Sequence, residues 1–354
     1  MSGPPIERIE GLLTPLLRTL ETLGLIVRYL HPPDLGGLLA SVGAPDADLR
    51  AARSARPPWP EVFSALGAQL DAASDEALAA FAGLREADDV RGAYRALRHT
   101  PRAFEALYPL ARILPPVSRF FLNAGRRSDE ELQARFLKPP PENTGVMCFG
   151  EDPNARDSVW IYVPETYAPD VAYPLVMCLH GGSGRGRAFL WSWLRDARSH
   201  GAILVAPTSL GETWAIQGED IDTPHLARIL DFVRERWRVD PDRLLLTGMS
   251  DGGTFTYTSG LEPGSPFTHL APVSAAFHPM LVQMADETRL DGLPIHIIHG
   301  ALDWMFPVDM ARNAERYFSA SGACLTYREI EDLSHTYPAD MNSAILDWLS
   351  ESHR

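Results

Sequence analysis

Hydrophobic residues change their period at the polar, proline-rich run Lys138-Pro-Pro-Pro-Glu-Asn-Thr-Gly145, and with it the kinds of element the chain can form. Before this run, Ile9, Leu12, Leu13, Leu16, Leu17 and Leu20 recur at three- and four-residue steps, which places them on one face of a helix. Similar stretches cover 61–84 and 90–110, with punctuation at Pro32-Pro33, Pro57-Pro58 and Pro115-Pro116. After it, short apolar runs alternate with amphipathic stretches, the pattern of an α/β unit with a mainly parallel sheet. Strands are expected at 145–149, 159–163, 175–180, 203–206, 244–247, 270–275, 295–299 and 325–330. Helices are expected near 188–199, 224–237, 252–261, 309–320 and 338–350. Pro174-Leu-Val-Met-Cys-Leu179 is apolar on both alternating faces, as a strand covered by helices on both sides must be. The expected organisation is an all-helical domain over 1–137 and an eight-stranded α/β domain over 138–354.

Charge narrows the function classes. A formal net charge of -14, with no Lys/Arg cluster, argues against a nucleic-acid partner, because phosphate binding needs a basic surface. No apolar run approaches the length of a membrane helix. Residues 1–20 lack the basic, apolar and small-residue pattern of a signal peptide, so a cytoplasmic location is expected. Self-association into a homo-oligomer is left open. Cys148, Cys178 and Cys324 are widely spaced without a C-x-x-C, and read as small apolar filler in buried strands. His296 and His299, three apart on an expected strand, face opposite sides and do not suit a shared metal. No metal or cofactor is expected.

The segment Gly248-Met-Ser-Asp-Gly-Gly253 follows the apolar run Arg243-Leu-Leu-Leu-Thr247 and precedes a helical stretch. This G-x-S-x-G, set between strand and helix, is the nucleophile elbow of the α/β-hydrolase fold. Glycines two residues to either side leave room for tight packing around Ser250. A serine hydroxyl needs a base, and the base needs an orienting acid. In this fold their order is Ser, acid, His. His335, in Glu331-Asp-Leu-Ser-His335, lies just after the last expected strand; His353 competes but is next to the chain end. Asp303, directly beyond the seventh strand in His299-Gly-Ala-Leu-Asp303, is the candidate acid. Asp309 competes, although it reads as a helix-opening residue. Backbone N–H groups of Asp251 and of Gly182, the latter in His180-Gly-Gly-Ser-Gly184, are the candidate oxyanion donors. Trp304 and Trp214 are assigned to the substrate wall, with packing as the competing role.

The runs Val159-Trp-Ile-Tyr-Val-Pro-Glu-Thr-Tyr-Ala168, Tyr173-Pro-Leu-Val-Met-Cys-Leu-His-Gly-Gly182 and Val239-Asp-Pro-Asp-Arg243 resemble polyhydroxybutyrate-depolymerase-like and feruloyl-esterase-like hydrolases. The layout is also similar to the phospholipase/carboxylesterase group. The resemblance covers about 145–350 and implies a cofactor-independent serine esterase that forms an acyl-enzyme on a small-molecule or lipid-like ester. A serine peptidase or amidase of the prolyl-oligopeptidase-like branch shares the chain order. A non-catalytic interaction protein is the alternative of another class. The stretch 278–294 reads as too short for more than one helix, which makes the helical domain a candidate cap over the site, with dimerisation or a purely stabilising role as the alternative.

Overall fold

The leucine periodicity at the start of the chain yields helix α1 (Pro5–Tyr29) in a computed structural model that describes residues 5–351. Ile9, Leu12, Leu13, Leu16 and Leu20 are buried along one face, which continues through Leu23 and Ile26, whereas Leu17 is only half-buried. Next come α2 (Leu35–Val42), α3 (Ala47–Ala55) and α4 (Ser64–Glu86). α4 packs on α1, and on the helices that follow it, and buries Leu70, Ala73, Ala77, Ala80, Phe81 and Leu84. The stretch 90–110, expected as one helix, is instead α5 (Val90–Leu97), α6 (His99–Leu107) and a 3-10 turn. Pro101 explains the break: it has no N–H for the Leu97 carbonyl, and its ring clashes with a continuing helix. α7 (Pro115–Phe120) and α8 (Glu130–Phe136) complete a unit spanning Met1–Leu137.

The second unit, Lys138–Arg354, is built on one eight-stranded sheet. Its strands are β1 (Gly145–Phe149), β2 (Val159–Val163), β3 (Tyr173–Leu179), β4 (Ile203–Pro207), β5 (Val239–Met249), β6 (His269–Val273), β7 (Pro294–Gly300) and β8 (Cys324–Ile330). Their spatial order is β1-β2-β4-β3-β5-β6-β7-β8, antiparallel across β1–β2 and β2–β4 and parallel elsewhere. Interleaved are α9 (Gly186–His200), α10 (Asp222–Arg234), α11 (Asp251–Gly260), α12 (Met280–Met284), α13 (Glu287–Leu290), α14 (Asp309–Ala320) and α15 (Asn342–Glu351). This is the α/β-hydrolase fold, with a mainly parallel sheet flanked by helices and a helical region ahead of it.

Position in the sheet explains the burial of each strand. β2, β4 and β6 are buried at every residue, while the edge strand β8 alternates between exposed and half-buried residues until Ile330. Cys178 in β3 is buried as expected, but Cys148 on β1 is half-buried and Cys324 at the start of β8 is exposed. Buried filler therefore describes only Cys178, because the other two lie on edge strands with one side open to water. The reading of 278–294 also needs correction, since it holds two short helices, α12 and α13. Ala285 breaks the first in extended conformation, and Asp286 starts the second by accepting the Thr288 N–H at 2.7 Å.

Candidate active site

The strand order reverses at β3, which has β4 on one side and β5 on the other. Such a switch point opens a crevice at the carboxyl ends of the strands. The segments leaving β3 and β5 there are His180–Gly184 and Met249–Gly253, the two motifs singled out from sequence.

Ser250 occupies the turn between β5 and α11 with φ 57 and ψ -119, a left-handed conformation that costs a non-glycine residue about 1–3 kcal/mol. Its N–H donates to the Val273 carbonyl at 2.9 Å and its carbonyl accepts from the Thr254 N–H at 2.8 Å. The flanking glycines are required by contact. A Cβ on Gly248 would lie 2.4 Å from the Gly252 backbone, and one on Gly252 would lie 2.5 Å from the carbonyl oxygens of Leu179 and His180. The turn thus packs directly on the end of β3.

His335, just beyond β8, brings Nε2 to 3.0 Å from the Ser250 Oγ. Its Nδ1 lies 2.8 and 3.0 Å from the two carboxylate oxygens of Asp303. A carboxylate accepts, so Nδ1 carries the proton of the neutral ring and Nε2 presents a lone pair to the serine. Asp303 is oriented in turn: its Oδ1 accepts from the N–H groups of Met305 at 3.0 Å and Phe306 at 2.8 Å. Burial works against its charge, but the bonds from His335 and Phe306 outweigh burial and hold the carboxyl below its ordinary range. His299 Nε2 donates to the Phe306 carbonyl at 2.8 Å and supports the same turn.

Asp251 is the first residue of α11, so its N–H has no intrahelical acceptor and lies at the positive end of the helix dipole. Gly182 faces it from the other loop; a Cβ there would meet Asp251 Oδ2 at 2.8 Å. The Gly182 loop is tightened by the Gly184 N–H donating to the Gly181 carbonyl at 3.0 Å. His180 braces it further. Its Nε2 accepts from the Ser209 N–H at 3.1 Å, so Nδ1 is the protonated nitrogen and donates to the Gly181 carbonyl at 2.7 Å. Burial pushes the His180 imidazole down to about 4, keeping it neutral in this role.

The other candidates fall apart from this group or border it. Trp304 is 45% exposed with its ring 6.2 Å from that of His335, and Phe306 meets the same imidazole edge-on at 5.3 Å. Trp214 is 2% exposed; its indole N–H donates to the His180 carbonyl at 2.7 Å and its ring stacks on Phe255 at 5.5 Å. Asp309 is the first residue of α14 and pairs with Arg312 at 3.0 Å, away from His335. His353 lies outside the described residues. His296 packs on Trp348 while His299 turns to Phe306, and among the described residues no three His, Cys, Asp or Glu gather as a metal site. Sequence reasoning gave no role to Thr213, Asp222 or His299. Only His180 had a signal, its place directly before the glycine loop.

Residues 222–353 match the model of the phospholipase/carboxylesterase family. A bifunctional acetylxylan esterase/xylanase of Neocallimastix patriciarum is 29% identical over 165 residues, 45% of this chain and 23% of its own length. The chain thus spans under a quarter of that relative. Among solved structures, a thermostable esterase has 22% identity and a TM-score of 0.49 over 58% of this chain and 62% of its own. The fluorophosphonate-binding serine hydrolase FphF of Staphylococcus aureus has 16% identity and a TM-score of 0.48 over 58% and 96%. The resemblance to esterases of the α/β-hydrolase superfamily stands.

Proposed function

We propose that the chain is a serine carboxylic-ester hydrolase in which residues 138–354 form the catalytic domain and residues 1–137 a separate helical domain. The observation that carries this reading is the relay at 2.8 Å from Asp303 to His335 and 3.0 Å from His335 to a serine held on a strained strand–helix turn. His335 Nε2 takes the hydroxyl proton as Ser250 Oγ attacks the ester carbonyl. Asp303, ionised and fixed by two backbone N–H groups, holds Nδ1–H in place and stabilises the imidazolium. The N–H groups of Gly182 and Asp251 receive the oxyanion. Collapse expels the alcohol, which leaves with the proton from Nε2, and the acyl group stays on Ser250. Water then attacks with the same base and restores the free serine.

Trp304 supplies an exposed aromatic wall beside His335, whereas the burial of Trp214 favours a role in packing over substrate contact. Acylated carbohydrates are the first ester class to test, because the relative matched over 165 residues is an acetylxylan esterase/xylanase. The deciding experiment pairs a panel of matched esters and amides with fluorophosphonate labelling of wild type and Ser250→Ala. Ester turnover and labelling are expected in wild type, and both should vanish in the folded variant. Retained turnover in Ser250→Ala would refute the reading, and preferential amide cleavage would move the chain to the peptidase branch.

A further inference from the structure

The segment Ser209–Ile216, between β4 and α10, belongs to neither motif, yet it bonds to both sides of the proposed oxyanion site. Toward the glycine loop, the Ser209 N–H donates to His180 Nε2 at 3.1 Å and the Trp214 indole to the His180 carbonyl at 2.7 Å. Toward the elbow, the Thr213 hydroxyl donates to Asp251 Oδ2 at 2.6 Å. The segment is itself anchored by Asp222, a fully buried residue at the start of α10. The Asp222 carboxylate accepts the Leu210 N–H at 2.9 Å and the Ala215 N–H at 2.8 Å. A rigid clamp therefore reaches from α10 to the two elements that carry the oxyanion donors.

Thr213 is the member of this clamp with a consequence for chemistry. The oxygen it binds, Asp251 Oδ2, is also the atom 2.8 Å from where a side chain on Gly182 would begin. The Asp251 carboxylate thus occupies the gap between the two donor residues, and its rotamer sets how closely the glycine loop approaches α11. A short bond from Thr213 fixes that rotamer.

We propose that Thr213 is a positioning residue, whose hydrogen bond to Asp251 sets the spacing of the Gly182 and Asp251 N–H groups for the transition state. The inference rests on the acyl-transfer reading above. Thr213→Val keeps the shape and removes the hydroxyl; Thr213→Ser keeps the hydroxyl. With an activated aryl ester, Thr213→Val should lower kcat about tenfold and leave KM within about twofold, since donor placement matters in the transition state more than in the ground state. Thr213→Ser should recover most of the loss. Asp251→Ala retains its backbone N–H and should lose at least as much kcat, and adding Thr213→Val to it should cost nothing further. Should Thr213→Val fail to fold, Thr213→Ala takes its place in the same comparison. Unchanged kcat in Thr213→Val, equal losses in the Val and Ser variants, or multiplicative losses in the double variant would each overturn the proposal. Ser250→Ala separates the two levels: if it still turns over, the acyl-transfer reading fails, and if it is silent while Thr213→Val matches wild type, only the role of Thr213 falls.

Discussion

Asp303→Asn changes one atom at the centre of the relay, and the surrounding bonds dictate how the amide must sit. Oδ1 of Asp303 accepts two backbone N–H groups, from Met305 and Phe306, so the asparagine carbonyl oxygen is held at that position. The amide nitrogen then replaces Oδ2, the atom 2.8 Å from His335 Nδ1. An amide NH2 donates, so the shorter contact to Nδ1 is kept as a hydrogen bond only when Nδ1 becomes the acceptor and the ring proton moves to Nε2, against a carbonyl oxygen at 3.0 Å that favours the original tautomer. Nε2 lies 3.0 Å from Ser250 Oγ and, once protonated, can no longer take the hydroxyl proton. The serine keeps its place but loses its base. Loss of the correct tautomer is worth about 10⁴-fold in kcat, or about 5 kcal/mol of transition-state stabilisation. The measurement is kcat and KM on an activated ester at neutral pH, with circular dichroism to verify folding. KM should change little, because the amide fills the same space. A folded variant retaining more than about a tenth of wild-type kcat would show that the tautomer argument is wrong.

Gly252→Ala drives a Cβ to 2.5 Å from two backbone carbonyl oxygens that end β3, neither of which can rotate away. The variant should be recovered in low soluble yield or lose at least about a hundredfold in kcat, and normal activity in soluble protein would contradict the packing described for the turn. His296, buried on Trp348, has its pKa pushed down to about 4 by burial, so between pH 6.5 and pH 4 the unfolded chain binds more protons than the folded one. Its contribution is complete above pH 6.5 and lost as pH falls toward 4; His296→Leu should reduce the stability lost between pH 7 and pH 5 by about 2 kcal/mol, measured by urea unfolding. An identical pH dependence in the two proteins would show that His296 is not held neutral by the fold.

Legibility in the sequence followed the range of the interactions involved. The elbow is written in contiguous residues, because strand, turn and helix each leave a local pattern and Gly248 and Gly252 stand where contact demands them. That Ser250, Asp303 and His335 would meet could be read from chain order, since each follows a strand and the carboxyl ends of parallel strands share one edge. The clamp on the glycine loop was not legible. A threonine bonding to an aspartate 38 residues later produces no period, and neither does a buried Asp222 accepting two loop amides. Trp214 illustrates the same limit, since an aromatic between two site loops reads alike whether it faces a ligand or the core. Burial of Cys324 was misjudged because sequence reveals a strand more readily than its place at the sheet edge. The break after Leu97 carried a visible signal in Pro101, outweighed by the apolar period around it.

The placement of β3 has a consequence for how the chain reaches activity. β3 is the earliest parallel strand in the chain, yet its partners β4 and β5 arrive only after α9 and α10 have been threaded past it. Pairings between segments so distant in sequence form late, after the entropy of closing long loops has been met. Docking of β5 on β3 brings Ser250 to the glycine loop, whereas His335 follows β8 and depends on β7 and β8 extending the sheet. A chain halted before β8 can therefore present the serine and both proposed oxyanion donors and still lack the proposed base. Ester turnover by this molecule would report that the last strand has docked, a readout of complete folding that binding to the crevice alone would not provide.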